Sequence, residues 1–341
     1  MKLGLIGLGR IGAFHAETLA ALDTVDELVV TDAVPAVTER VADRVGATPA
    51  GSPADVLAAG VDGVLVAAPT ALHAELTLAG VDAGVPVFCE KPLAPTPAEA
   101  ERVAAAVTAA GVPVQVGFPR RFDPAFRAAR AAVEKGELGK LRTVRSTTLD
   151  PAPPPASYLA GSGGIFHDCA VHDFDAVRWV TGREVVEVYA TGSLGGGDPD
   201  AFAAAGDVDT AATVLTFDDG TLGLVSNTRF NGRGYDVRLE VHGVADSVAA
   251  GLDDGLPLRN THPGATFPAG PPHTFFMDRL ATAFRAELAA FVDVVAGRAA
   301  VPCTVDDAVA VAWIAEAATR SLHTGRPVRI AEIREPATVG D

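Results

Sequence analysis

Between Gly163 and Asp175 the chain reads GGIFHDCAVHDFD, placing two histidines, three aspartates and a cysteine behind a pair of glycines. On a helix, Asp168 and His172 lie four residues apart and Asp175 three further on, so all three would share one face. An acid and an imidazole at that spacing could hold a cation or move a proton. A closed cation site needs three or four converging ligands. His167, adjacent to Asp168, would point elsewhere on the helix, and Cys169 suits a buried apolar position. No metal is therefore expected. Proton transfer is the better use of His172, because an unperturbed imidazole titrates near pH 6.5. The glycine pair would let backbone approach a substrate.

A second reactive group stands in Cys89-Glu90-Lys91-Pro92, behind an apolar run. A lysine at the carboxyl end of a strand can be an ordinary surface residue. It can also hydrogen-bond a reacting oxygen and favour the negative charge that develops there. Near the N-terminus, Gly7, Gly9 and Gly12 form G-x-G-x-x-G between a strand-like run and a helical pattern. In that setting the glycines permit a tight turn, backbone approach to a pyrophosphate and close helix–strand packing. Arg10 and Ile11 lie inside the same loop. Asp32, twenty residues after Gly12, can accept a hydrogen bond from a ribose 2′-hydroxyl and would repel a 2′-phosphate. Ala33-Val34-Pro35 offers no arginine to receive such a phosphate, so NAD is expected rather than NADP. Thr70, His73 and Glu90 follow or end later strands, where ligands of such sheets gather, and are further candidate cofactor contacts.

These residues need a scaffold. Strands are expected at Lys2–Ile6, Leu28–Thr31, Gly63–Ala67, Pro86–Cys89 and Pro113–Gly117. Helices are expected around Ala13–Leu22, Pro35–Val45, His73–Gly84 and Pro97–Ala110. Alternating strands and helices, with each strand apolar on both faces, imply a doubly wound parallel Rossmann sheet. Beyond Phe118 a helix (Asp123–Lys135) and a strand (Leu141–Leu149) lead through a proline-rich loop into the Gly163 segment. Runs at Val185–Thr191, Asp209–Phe217, Thr221–Arg229 and Tyr235–His242 then read as consecutive strands. They imply an α+β second domain with a large, mostly antiparallel open sheet. The expected division is residues 1–118 for NAD, 119–330 for substrate and oligomerisation, and 331–341 as a tail. Leu252–Pro272, rich in proline and glycine, is expected to be a long loop.

The sequence resembles the Gfo/Idh/MocA oxidoreductases, and within them the inositol 2-dehydrogenase-like members, from Leu3 to about Ile330. The resemblance rests on GLGRIGAFH, PTALH, EKPLA, QVGFPRRFDP and GGIFHDCAVHDFD. It implies a Rossmann domain, a second open-sheet domain and substrate held between them. It also implies dimers or tetramers packed through the second sheet. By the same resemblance Lys91 is the catalytic lysine, and Asp168 and His172 complete the catalytic group. Arg120, Asp150, Asp175 and Tyr235 are implied as substrate contacts alongside Lys91, Asp168 and His172. Two departures bear on the substrate: Pro119 precedes the arginine pair where Asn or Met is more usual, and Asp150 is Asn in some inositol enzymes.

The implied reaction is NAD-dependent oxidation of myo-inositol to 2-keto-myo-inositol (scyllo-inosose). Another inositol isomer, a sugar or a sugar acid is the nearest alternative. An NAD-assisted glycosidase and a non-catalytic NAD sensor are rivals from other classes; a sensor has no need of a base beside the nicotinamide. The formal charge of -16, without a long Lys/Arg run, argues against nucleic acid and anionic membranes. No run approaches the roughly 20 apolar residues of a membrane span. Glycines interrupt the apolar N-terminal run, so no signal peptide is expected. Cys89, Cys169 and Cys303 are far apart and odd in number, as suits reduced thiols in the cytoplasm.

Overall fold

The apolar runs of the N-terminal part pair into a six-stranded parallel sheet in a computed structural model, which describes residues 1–196 and 199–334. Its strands are β1 (Lys2–Ile6), β2 (Glu27–Thr31), β3 (Thr48–Pro49), β4 (Gly63–Val66), β5 (Val87–Glu90) and β6 (Val114–Gly117), in the order β3-β2-β1-β4-β5-β6. Leu3, Leu5, Val30, Leu65 and Phe88 have no exposed surface, as a sheet covered on both faces requires. The two-residue β3 is the shortest strand of this sheet. The helices expected at Pro35–Val45 and Pro97–Ala110 form with those bounds, and the glycine-loop helix starts three residues earlier, at Arg10.

The chain divides into two compact units. One comprises Met1–Pro119 with Thr282–Ala312, the other Arg120–Ala281 with Trp313–Asp341. The first boundary lies within a residue or two of the expected one. Thr282–Ala312, expected in the second domain, instead belongs to the first unit. Helix Ala281–Val295 explains this: Leu288, Phe291 and Val292 join the core cluster of Leu3, Leu5, Leu65 and Phe88. Each such side chain, fully buried, contributes roughly 1.5–3 kcal/mol.

The second unit holds β7 (Leu141–Leu149), β8 (Val185–Ser193), β9 (Thr210–Phe217), β10 (Leu222–Thr228), β11 (Asp236–Gly243), β12 (Ser247–Ala250) and β13 (Val328–Arg329). They pair in the order β12-β11-β7-β10-β9-β8-β13. Every pairing is antiparallel except β7 with β10. Helix Val171–Thr181 packs on β7 with Phe174, Val177 and Val180 buried. Helix Pro124–Glu134 starts at Asp123, whose Oδ1 caps it by accepting from the amides of Ala125 and Phe126. Residues 251–275 carry no helix or strand, in keeping with the expected loop. Ile330–Arg334 is helical rather than tail-like, and the rest of the expected tail lies outside the described residues.

Candidate active site

In the first unit β1 pairs with β2 on one side and β4 on the other, so the loops at their carboxyl ends adjoin where the strand order reverses. Gly7 has φ +93°, and a Cβ there would lie 2.6 Å from the Ala68 nitrogen. A Cβ on Gly12 would come within 2.0 Å of the Gly7 carbonyl oxygen. Both glycines are therefore demanded by packing. Gly9 is different: it is the N-cap of helix Arg10–Ala20, has no side-chain cap, and a Cβ there would meet nothing within 4 Å. An uncapped helix N-terminus beside open space fits a dinucleotide pyrophosphate.

Asp32 is held at the end of β2, its Oδ2 accepting from the Leu8 amide at 2.7 Å and its Oδ1 from the Val34 amide at 3.0 Å. The carboxylate lines a cavity with Leu8, Gly9, Arg10, Ala13, Val37 and Arg40. Gly9, Arg10 and Asp32 thus line one cavity, and Arg40 lines it with them. Arg40 was not foreseen. It lies eight residues after Asp32, on a neighbouring helix, and no spacing rule points to it.

Two other candidate cofactor residues have structural work instead. Glu90 Oε1 lies 2.6 Å from Nε2 of His15, a fully buried ring packed edge-on against Phe88 and Phe284. His73 is 2% exposed, with Nδ1 2.7 Å from the Pro92 carbonyl and Nε2 2.8 Å from the Ala68 carbonyl. Two carbonyl acceptors call for two N–H donors, which only the imidazolium provides. Burial pulls the pKa of His73 down, but Cys89 beside it and the two carbonyls outweigh that and raise it to about 9. His73 therefore ties the loop after β4 to the loop after β5 rather than facing cofactor. Lys91, half-buried, immediately precedes Pro92, with a cis peptide between them; Thr70 opens the short turn Thr70–Leu72.

In the second unit the GGIFHDCAVHDFD segment departs from a plain helix. Gly164 has φ +85°, and a Cβ there would lie 3.1 Å from Oδ1 of Asp207, which accepts from the Ile165 amide at 2.9 Å. The glycine pair thus leads into the helical segment, the Gly164 carbonyl accepting from the Asp168 amide at 3.0 Å. Phe166–Ala170 then forms a π-helical turn before the α-helix Val171–Thr181. The wider turn changes the spacing of Asp168 from the regular helical one, while His172 and Asp175, both in the α-helix, keep theirs. Asp175 is 1% exposed and accepts from Arg121 through both oxygens, at 2.6–3.2 Å. Arg120 is 2% exposed, with Nη1 2.7 Å from Asp173 and Nη2 2.6 Å from Thr148. As substrate contacts both are corrected: each spends its charge on a buried ion pair.

Asp173, passed over in the sequence, anchors this core. It also accepts from Ser146 at 2.5 Å, Thr148 at 2.8–2.9 Å and Asn227 at 2.8 Å. The missed signal was polar residues at inward positions: Ser146 and Thr148 alternate on β7, and Asn227 stands opposite Thr148 on β10. Tyr235 is 4% exposed; burial pushes its phenol well above the usual range, while Arg120 pulls against that.

Asp168 and Asp150 belong to a different cluster. Arg229 donates from Nη1 to Asp150 Oδ2 at 2.9 Å and from Nη2 to Asp168 Oδ2 at 2.6 Å. Tyr158 donates its hydroxyl to Asp168 Oδ1 at 2.9 Å. Neither Arg229 nor Tyr158 was foreseen, because residues brought together from the end of β10 and the short helix Ala156–Leu159 share no spacing. His172 is half-buried on the same helix as Asp173. His167 is disfavoured as a cation by burial, and burial raises the Cys169 thiol. Among the described residues no three His, Cys, Asp or Glu side chains form a metal-ligating group.

Known proteins share this architecture. Residues 1–118 match the family model "Oxidoreductase family, NAD-binding Rossmann fold", and residues 126–249 match the GFO/IDH/MocA C-terminal domain. The chain is 42% identical to the myo-inositol dehydrogenase Hyg17 of Streptomyces leeuwenhoekii over 89% of its own length and 90% of that protein's. It is 37% identical to an inositol 2-dehydrogenase of Rhizobium meliloti, over 97% and 99% of the two chains. Its fold matches the crystal structure of scyllo-inositol dehydrogenase from Lactobacillus casei with bound NAD(H) and scyllo-inositol. That match has a TM-score of 0.87 and 28% identity, covering 97% and 99% of the two chains. With both domain models matched in order along one chain, the chain belongs to the Gfo/Idh/MocA family of NAD-binding oxidoreductases.

Proposed function

We propose that the protein oxidises a secondary hydroxyl of a neutral cyclic polyol, with myo-inositol, giving 2-keto-myo-inositol, as the first substrate to test. The observation that carries this reading is the Asp150–Arg229–Asp168 cluster. It supplies carboxylate acceptors suited to hydroxyl groups, while its one arginine is already matched by acids and offers little to a phosphorylated or carboxylated sugar. The names of the relatives support the same class of substrate.

Bound NAD supplies the hydride acceptor. His172 takes the hydroxyl proton as the carbon–oxygen double bond forms. Lys91 hydrogen-bonds that oxygen and favours its developing negative charge. Asp168, held by Tyr158 and Arg229, fixes a neighbouring hydroxyl. The Gly7–Gly12 loop, including Ile11, and Asp32 hold the dinucleotide, with Thr70 at its border. The experiment is a panel of inositols, hexoses and sugar acids with NAD, read as NADH absorbance. Turnover of myo-inositol or an isomer supports the reading; turnover of sugar acids alone would overturn it.

We also propose a homo-oligomer, a dimer or tetramer, working in the cytoplasm. The open face of the second sheet supports self-association. Tyr189, Val214 and Leu224 stand opposite one another on β8, β9 and β10 and are each 38–39% exposed. Among the described residues no helix is long and apolar enough to cross a membrane.

A further inference from the structure

Arg229 is unusual among the arginines of the second unit. It is 4% exposed, it bridges two carboxylates that the proposed function assigns to substrate, and its Nε is buried without a hydrogen-bond partner. Arg120 and Arg121, by contrast, are spent on Asp173 and Asp175, which lie deeper still. The Arg229 bridge joins the end of β7 (Asp150), the π-helical turn (Asp168) and the end of β10, so one side chain links both carboxylates and offsets one unit of their charge.

The charge matters most. Asp150, Asp168 and Arg229 together carry -1 when ionised. Without Arg229 the two carboxylates would carry -2 in a poorly solvated place, and one would take up a proton more readily. With Arg229 in place the cluster presents carboxylate acceptors with only a weak net attraction for cations. We propose that Arg229 is a specificity-determining and positioning residue, which balances Asp150 and Asp168 so that the site selects an uncharged polyol over one bearing an ammonium group. The inference rests on the polyol reading above and deepens it: the substrate class becomes neutral polyols, discriminated from amino-substituted ones by charge.

The test compares scyllo-inosamine, an amino-substituted inositol, as an inhibitor with myo-inositol as substrate, in the full-length protein with NAD at pH 7. The readout is the ratio of the inhibition constant to the KM of myo-inositol. In R229Q the ratio should fall by about tenfold, a size within the range of Coulomb's law at about 4 Å between bulk water and a protein surface. R229K keeps the charge and should stay near the wild-type ratio. The double variant D150N/R229Q removes one charge of each sign and should return toward wild type, which a merely structural role for Arg229 does not predict. The acid limb of the pH profile of kcat/KM should also move up by about one pH unit or more in R229Q.

NADH binding by R229Q checks its fold. If it does not fold, D150N against D150N/R229Q isolates the same arginine, and the ratio should again fall by about tenfold. A ratio unchanged within twofold in either comparison overturns the proposal. Failure of wild-type protein to turn over or bind any inositol overturns the polyol reading instead, so the two failures are distinguishable.

Discussion

At the scale of single residues, we propose that Asp32 sets the preference for NAD over NADP. Its two oxygens are pinned by the amides of Leu8 and Val34, so the carboxylate cannot swing away from a 2′-phosphate. Arg10 and Arg40 line the same cavity. Replacing Asp32 by Ser removes the repulsion and leaves two cations beside the vacated position. Asp32→Ser should therefore raise kcat/KM with NADP by at least tenfold relative to that with NAD, as steady-state kinetics with both cofactors would show. Loss of activity with NAD and no gain with NADP would mean that neither arginine reaches the phosphate. Asp32 itself was legible in the sequence because the dinucleotide-binding unit fixes its distance from the glycine loop. Arg40 was not, since its approach depends on how one helix lies against the loop.

At the scale of elements, His73 links two strand ends. Its folded pKa, about 9, lies above the unfolded value of 6.5. The stabilisation it gives is therefore fully present below pH 6.5 and lost as pH rises through about 9, in total on the order of 3 kcal/mol. Thermal unfolding of the wild type should show that loss between pH 6.5 and 9.5. His73→Gln, which cannot become a cation, should be less stable at pH 6.5 and flatter over the same window. Equal pH slopes in the two proteins would exclude the imidazolium bridge. The same scale explains what the sequence concealed. The strands and helices of the first unit follow from apolar runs and capping residues, local properties that survive being read one segment at a time. The π-helical turn at Phe166–Ala170 does not follow from local preference. Nor does the buried Asp173 network, which draws partners from β7, β10 and the turn before helix Pro124–Glu134. In the candidate site, Asp168 and His172 stood out by spacing, while Arg229 and Tyr158 come from the far end of a strand and from the short helix Ala156–Leu159.

At the scale of the whole molecule, the second sheet carries an apolar row, Tyr189, Val214 and Leu224, continued by Arg145, which pairs with Glu240 at 3.5 Å. A row of this kind on an open sheet face suits burial against a second copy. Leu224→Arg places a charge in its middle and should shift the mass measured by light scattering from oligomer toward monomer, with NADH binding preserved. A monomeric wild type, or an unchanged mass in the variant, would remove this face from consideration. The proposed reaction assigns a hydrogen-bond donor, Lys91, to the first unit and a proton acceptor, His172, to the second. The most direct test of that division of labour is single-turnover formation of NADH from myo-inositol by wild-type protein and His172→Ala, with NADH binding as the control for folding. Loss of a general base typically costs 10²–10⁴-fold, so the variant should keep no more than about one hundredth of the wild-type rate; retention of more than about a tenth would contradict the assignment of His172 as the proton acceptor.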